Sequence, residues 1–363
     1  MPPFSYKFLI YISQGYAIPI GKPLETEILK RGYQVYWYSD RPDGKNRIPK
    51  TSASFGTIQE AVAYEPHIVL AITDYVADFL TGIKVQIFHG FPANKRKGTD
   101  QFQIRGFYDL YCTQGPSSTV PFTEISKINK TFEVVETGWS KMDPMYPLKP
   151  KIKSEIPTVL ITATCTRAYS LALKDEVLAE IHRLSLTGNW KFKMVIHPLL
   201  SEAVANKIKN MQNENFVFLD TTDLIPFYQQ SDLLFSDTSS AIIEYLLQIK
   251  PVVTYKNNMP GPYLIDISKV EEIETAFLKA LEMPDNLKDE IQKFADFSHP
   301  YSDGKSSERV INAVIAFLHK DKSHLKRKPL NLIKKYKIRK KTGFFTFKTY
   351  PVSFTLPKLN EVV

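Results

Sequence analysis

The sequence alternates between short, almost entirely apolar runs and longer stretches whose apolar residues recur with helical spacing. Runs of this kind that are separated by helices are typical of parallel strands buried on both faces. The pattern therefore predicts an α/β protein with two Rossmann-like, doubly wound domains. The predicted strands lie at 6–12, 33–38, 67–72, 85–89, 108–113 and 132–136, and then at 158–162, 192–197, 216–219, 233–236 and 252–255.

The two sets of strands are separated by a segment at 145–157, which has three prolines, three lysines and no periodicity. We interpret it as a linker between an N-terminal domain at 1–144 and a C-terminal domain at 158–320, with a basic tail at 321–363. The length of 363 residues suits two domains. Two such domains in tandem are expected to face a central cleft, where ligands of parallel sheets bind.

Several protein classes are excluded by missing patterns. No apolar run reaches the roughly 18 residues of a membrane span, and the first residues do not resemble a secretory signal, so we expect a cytoplasmic protein. The two cysteines, Cys112 and Cys165, have no CxxC partner and are expected to be free thiols. Because GxGxxG and GxxxxGK[ST] are both missing, a dinucleotide dehydrogenase and a P-loop NTPase are disfavoured.

Two histidines lie at the ends of predicted strands, His89 before Gly90 and His197 before Pro198. An imidazole with a pKa near 6.5 suits proton removal at neutral pH, so His89 is a candidate general base. The alternative is a histidine that caps a turn. His197 is a candidate hydrogen-bond donor to a diphosphate, and the alternative is a loop histidine with protein partners.

A strand, a polar turn and an apolar helix follow one another at 233–247. The turn Asp237-Thr238-Ser239-Ser240 supplies more side-chain oxygens and backbone N–H groups than one helix cap uses. This surplus predicts a phosphate site, with plain N-capping as the alternative. After the last strand of the first domain, Lys141 and Asp143 either face the cleft or form a salt-bridged hinge.

In order and spacing, these segments resemble the CDP-glycerol glycerophosphotransferase family, which makes teichoic-acid-like and capsular polymers. The chain departs from the family pattern at Phe91, where the family usually has Thr, and at 164–166, where it usually has Pro-Thr-Trp. The matching segments are His89-Gly90 with Pro92, Thr137-Gly138-x-x-Lys141-x-Asp143, 163–167, His197-Pro198, Ser236 to Ser240 with Glu244, and Asp303-Gly304-Lys305 with Arg309.

The resemblance implies a two-lobed GT-B fold and a transferase that needs no cofactor and no metal. Glycerol phosphate would move from CDP-glycerol, or another nucleotide-activated donor, to a hydroxyl of a cell-surface polymer or membrane-linked glycan, and CMP would leave. The N-terminal domain would bind the acceptor, and His89 would remove its proton. The C-terminal domain would bind the donor through His197, Arg167, Asp237, Thr238, Ser239, Ser240 and Glu244.

The resemblance also implies acceptor or cleft contacts from late and interdomain residues. A helix N-terminal cap formed by Asp303 or Ser306 is the alternative for the late ones. The implied contacts come from Lys141, Asp143, Asp303, Lys305 and Arg309.

The tail carries the positive charge of the chain. Between Lys320 and Lys348 there are twelve Lys or Arg and one Asp, which exceeds the whole chain's net charge of +9. Basic clusters beside Phe344-Phe345-Thr346-Phe347 predict binding to an anionic membrane surface, hence a peripheral position on the inner face of the cell membrane. A solvated flexible tail is the alternative. Nucleic acid is not an expected partner, because the charge is confined to one terminal segment.

Two other functions remain open. One is a GT-B glycosyltransferase that uses a nucleotide sugar for capsule or lipopolysaccharide, and the other is a non-catalytic membrane-surface scaffold. The His-x-Glu-Ala-Gly signature of hexosamine 2-epimerases is missing from the sequence. The nucleotide that protects the protein from thermal unfolding would separate the two transferases.

Overall fold

The computed structural model describes residues 5–92, 100–148 and 155–347, which divide into two compact units. Each unit contains a six-stranded parallel sheet, so the expected α/β architecture with two Rossmann-like domains is confirmed. Residues 149–154 of the expected linker and 348–363 of the tail lie outside the described residues. Unit 1 contains Met1–Gly90, Phe102–Pro144 and Asp303–Val363, and unit 2 contains Phe91–Gln101 and Met145–Ser302.

The sheet of unit 1 has the strand order β2-β1-β3-β4-β5-β6. The second strand lies on one side of the first, and the third to sixth strands lie on its other side. The strand order therefore reverses between the first and third strands. Its strands are β1 (Lys7–Ile12), β2 (Gln34–Ser39), β3 (Ile68–Ile72), β4 (Ile83–Ile87), β5 (Leu110–Thr113) and β6 (Glu133–Glu136).

The sheet of unit 2 has the order β12-β11-β10-β7-β8-β9. Here the reversal lies between the first strand of the unit and the fourth. In open parallel sheets, ligands bind beyond the carboxyl ends of the strands at this point. The strands are β7 (Thr158–Ala163), β8 (Lys191–Ile196), β9 (Phe216–Phe218), β10 (Leu233–Ser236), β11 (Val252–Tyr255) and β12 (Ile265–Ile267).

The helices flank the sheets through apolar stripes at helical spacing. Among the described helices, none combines the length and the apolar composition that a membrane crossing requires. In chain order they are α1 (Ile18–Lys30), α2 (Pro42–Arg47), α3 (Ile58–Ala63), α4 (Pro116–Asn129), α5 (Asp175–Leu186), α6 (Glu202–Lys209), α7 (Ile225–Gln230), α8 (Ala241–Leu246), α9 (Ile273–Glu282), α10 (Asp285–Ser298), α11 (Ser306–His319) and α12 (Leu332–Thr342).

Helix α5 shows why these segments are helical. Its buried residues Val177, Leu178, Ile181 and Leu184 recur every three or four positions, which places them on one face. That face belongs to the core cluster of unit 2, together with alternate residues of the central strands. Burying such side chains provides most of a helix's stability in water, where short isolated helices are marginal.

The end of the chain differs from the expected domain boundaries. Helix α11, expected in the second domain, packs against α1 in unit 1. The guanidinium of Arg31 donates to Oδ1 of Asn312 at 2.6 Å, and the hydroxyl of Tyr6 lies 2.7 Å from Nε2 of His319. The apolar stripe of α11 predicted a helix, but such a stripe does not specify the surface that covers it.

The basic tail contains a helix, α12, that the sequence analysis did not predict. Ile338 is buried in the core cluster of unit 1. Among the described residues from 320 onward, five cations form ion pairs with acidic residues that lie far away in the sequence. The pairs are Lys320 with Glu133, Lys328 with Asp109, Lys335 and Arg339 with Asp78, and Lys341 with Asp40.

Three smaller differences concern element boundaries. Strand β12 was not predicted, because it has three residues and the middle one, Asp266, is polar. Strand β4 ends at Ile87, so His89 lies two residues beyond it rather than within it. Helix α8 begins at Ala241, two residues after the expected start. Both cysteines are free, as expected.

Candidate active site

Three neighbouring strands of unit 2 bring the expected phosphate-binding residues to one edge of the sheet. Strand β7 lies between β10 and β8, and all three run parallel. Strand β10 is followed by the turn Asp237-Thr238-Ser239-Ser240. Strand β7 is followed by a loop that carries Arg167, and β8 by a loop that begins at His197. This edge is also the point where the strand order reverses, the usual ligand site of such a sheet.

Asp237 holds two of these loops together. Its side chain is fully buried, and its carboxylate accepts hydrogen bonds from the backbone N–H groups of Thr164, at 2.9 Å, and Leu171, at 3.0 Å. Burial raises the pKa of Asp237 to about 6, and the hydrogen bonds from the backbone oppose that shift. The carboxylate therefore fixes the loop that carries Arg167 instead of facing a ligand.

The hydroxyl groups of the turn have different uses. Oγ of Ser239 accepts from the backbone N–H of Ala241 at 3.2 Å, and Oγ1 of Thr238 accepts from that of Asn258 at 3.1 Å. Ser240 stands at the cap position of α8 and makes no side-chain capping bond. Ser239 therefore caps the helix locally, and the hydroxyl of Ser240 is not used for capping.

Arg167 and His197 add hydrogen-bond donors at the same edge. The side chain of Arg167 is exposed, and that of His197 is half-buried. The backbone N–H of Leu199 donates to Nδ1 of His197 at 3.1 Å. Because Nδ1 accepts, the proton of the neutral ring lies on Nε2, which makes that nitrogen a donor.

Glu244 differs from the expectation. Its side chain is 3% exposed, and Oε2 accepts a hydrogen bond from the hydroxyl of Tyr228 at 3.0 Å. The residue that was expected to contact a nucleotide instead links α8 to α7 in the interior. All six residues of α8 are buried, and Glu244 shares that environment.

A pocket that the sequence analysis missed opens on the β11 side of the turn. It is bounded by the turn at 238–240 and the segment at 257–259. Tyr263 and Phe294 form part of its wall and stack on each other, with ring centroids 3.8 Å apart. Two of its polar residues, Asn257 and Asn258, come two and three residues after the predicted strand at 252–255, and that position at the same edge is the signal that could have identified them.

In unit 1, His89 lies beyond the carboxyl end of β4 and is exposed. The backbone on either side of it is anchored: the indole N–H of Trp139 donates to the carbonyl of Phe88 at 2.8 Å, and the amide of Gln114 donates to that of Gly90 at 3.0 Å. A Cβ atom at Gly90 would meet no atom of the described residues within 4 Å, so these residues leave space beside the histidine. The imidazole is thus accessible, and hydrogen bonds fix the backbone on both sides of it.

The residues expected to contact the acceptor have mainly structural partners. Oδ1 and Oδ2 of Asp143 accept from the backbone N–H groups of Ser306, at 2.8 Å, and Ser307, at 2.7 Å, at the start of α11. Burial raises the pKa of Asp143, and hydrogen bonds from the two serines oppose that shift. The cap of this helix therefore comes from a residue more than 160 positions away, not from Asp303 or Ser306.

Arg309 completes this network. It pairs with both carboxylate oxygens of Asp303, at 2.8 and 3.0 Å, and its Nε donates to the carbonyl of Thr137 at 2.9 Å. The hydrogen bonds from Arg309 lower the pKa of Asp303 to about 2. The ammonium of Lys141, a buried residue, lies 5.3 Å from the ring centroid of Trp139, whereas Lys305 is exposed.

Comparisons with known proteins agree with this architecture. The model of a family described as CDP-Glycerol:Poly(glycerophosphate) glycerophosphotransferase matches residues 83–316. Teichoic acid ribitol-phosphate polymerase TarL of Staphylococcus aureus (strain NCTC 8325 / PS 47) is 24% identical over 270 residues, which cover 62% of this chain and 46% of TarL. The chain thus spans about half the length of the curated relative that it matches.

Two solved structures show the fold. The wall teichoic acid polymerase TagF matches with a TM-score of 0.62 and 16% identity, covering 86% of this chain and 88% of that chain. A putative UDP-N-acetylglucosamine 2-epimerase from Listeria monocytogenes matches with a TM-score of 0.61 and 16% identity, covering 88% and 98%. Both similarities confirm the expected GT-B-like fold.

Proposed function

Because the chain belongs to the CDP-glycerol:poly(glycerophosphate) glycerophosphotransferase family, we propose that it transfers glycerol phosphate from CDP-glycerol to a hydroxyl of a cell-surface polymer or lipid-linked acceptor. CMP is the second product. The observation that carries this proposal is the meeting of hydroxyl, guanidinium and imidazole donors at the reversal point of the unit 2 sheet. This set of groups suits a diphosphate.

The donor's diphosphate binds at the turn after β10. The hydroxyls of Ser239 and Ser240, the guanidinium of Arg167 and Nε2–H of His197 donate hydrogen bonds to its oxygens. During transfer the bond between the β-phosphorus and the bridging oxygen breaks, and negative charge grows on the departing CMP. Donors that are already in place stabilise that charge, which is the main source of catalysis in phosphoryl-type transfer.

His89 acts as the general base for the acceptor. The acceptor oxygen forms the new bond to the β-phosphorus, its proton passes to the imidazole, and CMP leaves with the electron pair of the broken P–O bond. The anchored carbonyls of Phe88 and Gly90 hold the backbone of this histidine, and the open space at Gly90 admits the acceptor. Lys305, with its exposed ammonium, is the candidate contact for an anionic polymer.

The reaction is tested by incubating the purified chain with labelled CDP-glycerol and a lipid-linked acceptor and measuring CMP. We expect CMP release that depends on the acceptor. Turnover of a UDP-sugar without any CMP release from CDP-glycerol would favour the glycosyltransferase alternative. If no nucleotide protects the chain from thermal unfolding, the scaffold alternative gains support.

The tail binds the inner face of the cell membrane, where a lipid-linked acceptor is located. Among the described residues of the tail, four exposed cations do not belong to the five ion pairs with unit 1: Lys326, Arg327, Lys337 and Lys340. Large apolar side chains are exposed beside them, and such a mixture suits an anionic lipid surface. These are Leu330, Leu332, Ile333, Tyr336, Phe345 and Phe347.

Sedimentation with anionic vesicles tests this membrane contact. The double variant Lys337→Ala/Lys340→Ala should bind roughly thirtyfold more weakly at low salt, since each cation near the headgroups contributes about 1 kcal/mol. The matched control is Lys320→Ala/Lys328→Ala, which removes two cations that already have acidic partners. An equal effect of both double variants would argue against this surface.

A further inference from the structure

We propose that the pocket on the β11 side of the turn receives the alditol part of the donor, with Asn258 as the residue that recognises its hydroxyl groups. This inference rests on the proposed function, because it concerns the group that the enzyme would transfer. Two observations support it, the position of the pocket and its polar atoms.

The position follows from the order of the strands. The turn at 238–240 follows β10, the segment at 257–259 follows β11, and these two strands are neighbours. Arg167 and His197 follow β7 and β8, on the other side of the turn. A diphosphate held at the turn therefore has the pocket on one side and the guanidinium and imidazole on the other.

The polar atoms of the pocket suit a neutral polyol. Oδ1 of Asn258 is buried and has no hydrogen-bond partner among the described residues. Leaving such an atom unpaired is costly, and a ligand hydroxyl would satisfy it. The described residues that line the pocket include hydroxyl and amide side chains but neither a carboxylate nor an ammonium group. Since each alditol hydroxyl both donates and accepts, this wall can bind several of them.

The neighbouring Asn257 has a different task. Its Nδ2 donates to the carbonyl of Asp237 at 2.9 Å, and its Oδ1 accepts from the backbone N–H of Met259 at 2.7 Å. Both ends of this amide are therefore used to connect the segment after β11 to the turn after β10. Asn257 is a positioning residue, whereas Asn258 is the one that presents a polar atom for recognition.

The aromatic part of the wall is already partly occupied. Tyr263 and Phe294 stack on each other, so one face of each ring is covered by the other. The unpaired oxygen of Asn258 is the feature of the pocket that favours a hydroxyl-bearing group as the occupant.

Calorimetric titration with CMP, CDP-glycerol and CDP-ribitol tests the inference. Asn258→Ala should weaken binding of both CDP-alditols about tenfold, the effect of one lost hydrogen bond, while CMP affinity stays within about twofold. Met259→Trp, which places a larger side chain in the wall of the pocket, should weaken binding of both CDP-alditols. Asn286→Ala, an exposed asparagine on α10, is the matched control and should change nothing.

The outcomes separate the inference from the proposed function. Retained CMP affinity shows that each variant is folded. If Asn258→Ala weakens CMP as much as the CDP-alditols, or weakens none of them, the pocket does not hold the alditol, although the proposed donor stands. If the wild-type chain binds neither CDP-alditol, the proposed function fails and the inference fails with it.

Discussion

Two regions of this molecule use the same residue types in opposite ways. At the start of α11, Asp143 and Arg309 satisfy backbone groups and a carboxylate of their own unit. At the turn before α8, Asp237 is used in the same structural way, but Ser240 makes no capping bond and Arg167 is exposed. The first cluster uses its groups within the fold, whereas the second leaves some of its groups accessible, and only the second is therefore suited to a ligand.

The largest effect should come from His89, the accessible group that we propose as the general base. His89→Ala should lower turnover about 10²–10⁴-fold, the range for loss of general acid–base catalysis, without changing CMP affinity. Steady-state CMP release and calorimetry measure the two quantities.

The control for His89→Ala is His324→Ala. This histidine is also exposed, belongs to the same unit and lies against Glu133, at the amino end of β6. It should keep wild-type turnover. If His89→Ala turned over as fast as the wild type, His89 would not be the base.

The next effect concerns the start of α11, where the polar groups serve the fold. Asp143→Ala removes two hydrogen bonds from a carboxylate to the start of α11 and should lower the free energy of unfolding by about 2–4 kcal/mol. CMP affinity should not change, because the carboxylate stabilises the start of α11 and does not contact the nucleotide in this account. Urea unfolding measures the loss, and Asp285→Ala, at the exposed first residue of α10, should cost a few tenths of a kcal/mol. A variant of Asp143 with full stability and weaker CMP binding would contradict this view.

A smaller effect concerns the pH dependence that Asp237 confers. Its pKa of about 6 lies above the value near 4 of an unfolded chain. Between these values the native state holds a proton that the unfolded state has lost, so stability is present below about pH 4 and is lost as the pH rises through 6. The wild type should therefore lose on the order of 1–2 kcal/mol relative to Asp237→Asn between pH 4 and 7. The quantity to measure is the unfolding free energy of the wild type minus that of Asp237→Asn. If this difference stayed constant or rose with pH, the burial of this carboxyl would be contradicted.

The strands and the turn at 237–240 could be predicted because their signals are local. An apolar run such as β10 or β11 ends where polar residues begin, and the surplus of oxygens at the turn is visible in four consecutive residues. The cap of α11 by Asp143 could not be predicted, because it depends on how distant segments pack. The same holds for Asn258, whose unpaired oxygen is a property of the folded pocket.

The tail shows the limit of counting charges. The sequence predicted a basic segment that is free to meet a membrane, and it contained no sign that Asp40 and Asp78 would pair with Lys341 and Arg339. Helix α12 also has few apolar residues to mark a buried face, since Ile338 is its single buried residue among those described. Which cations are available for lipid therefore depends on tertiary structure.

The most direct test of the central claim, that the edge of the unit 2 sheet binds the donor's diphosphate, is calorimetric titration of CDP-glycerol into Ser239→Ala/Ser240→Ala. The double variant should bind about 10–100-fold more weakly, since two hydroxyl donors to a charged group are lost. Its free energy of unfolding without ligand should fall by no more than about 1 kcal/mol, the contribution of one cap. Unchanged affinity for CDP-glycerol, with or without a loss of stability, would contradict the account.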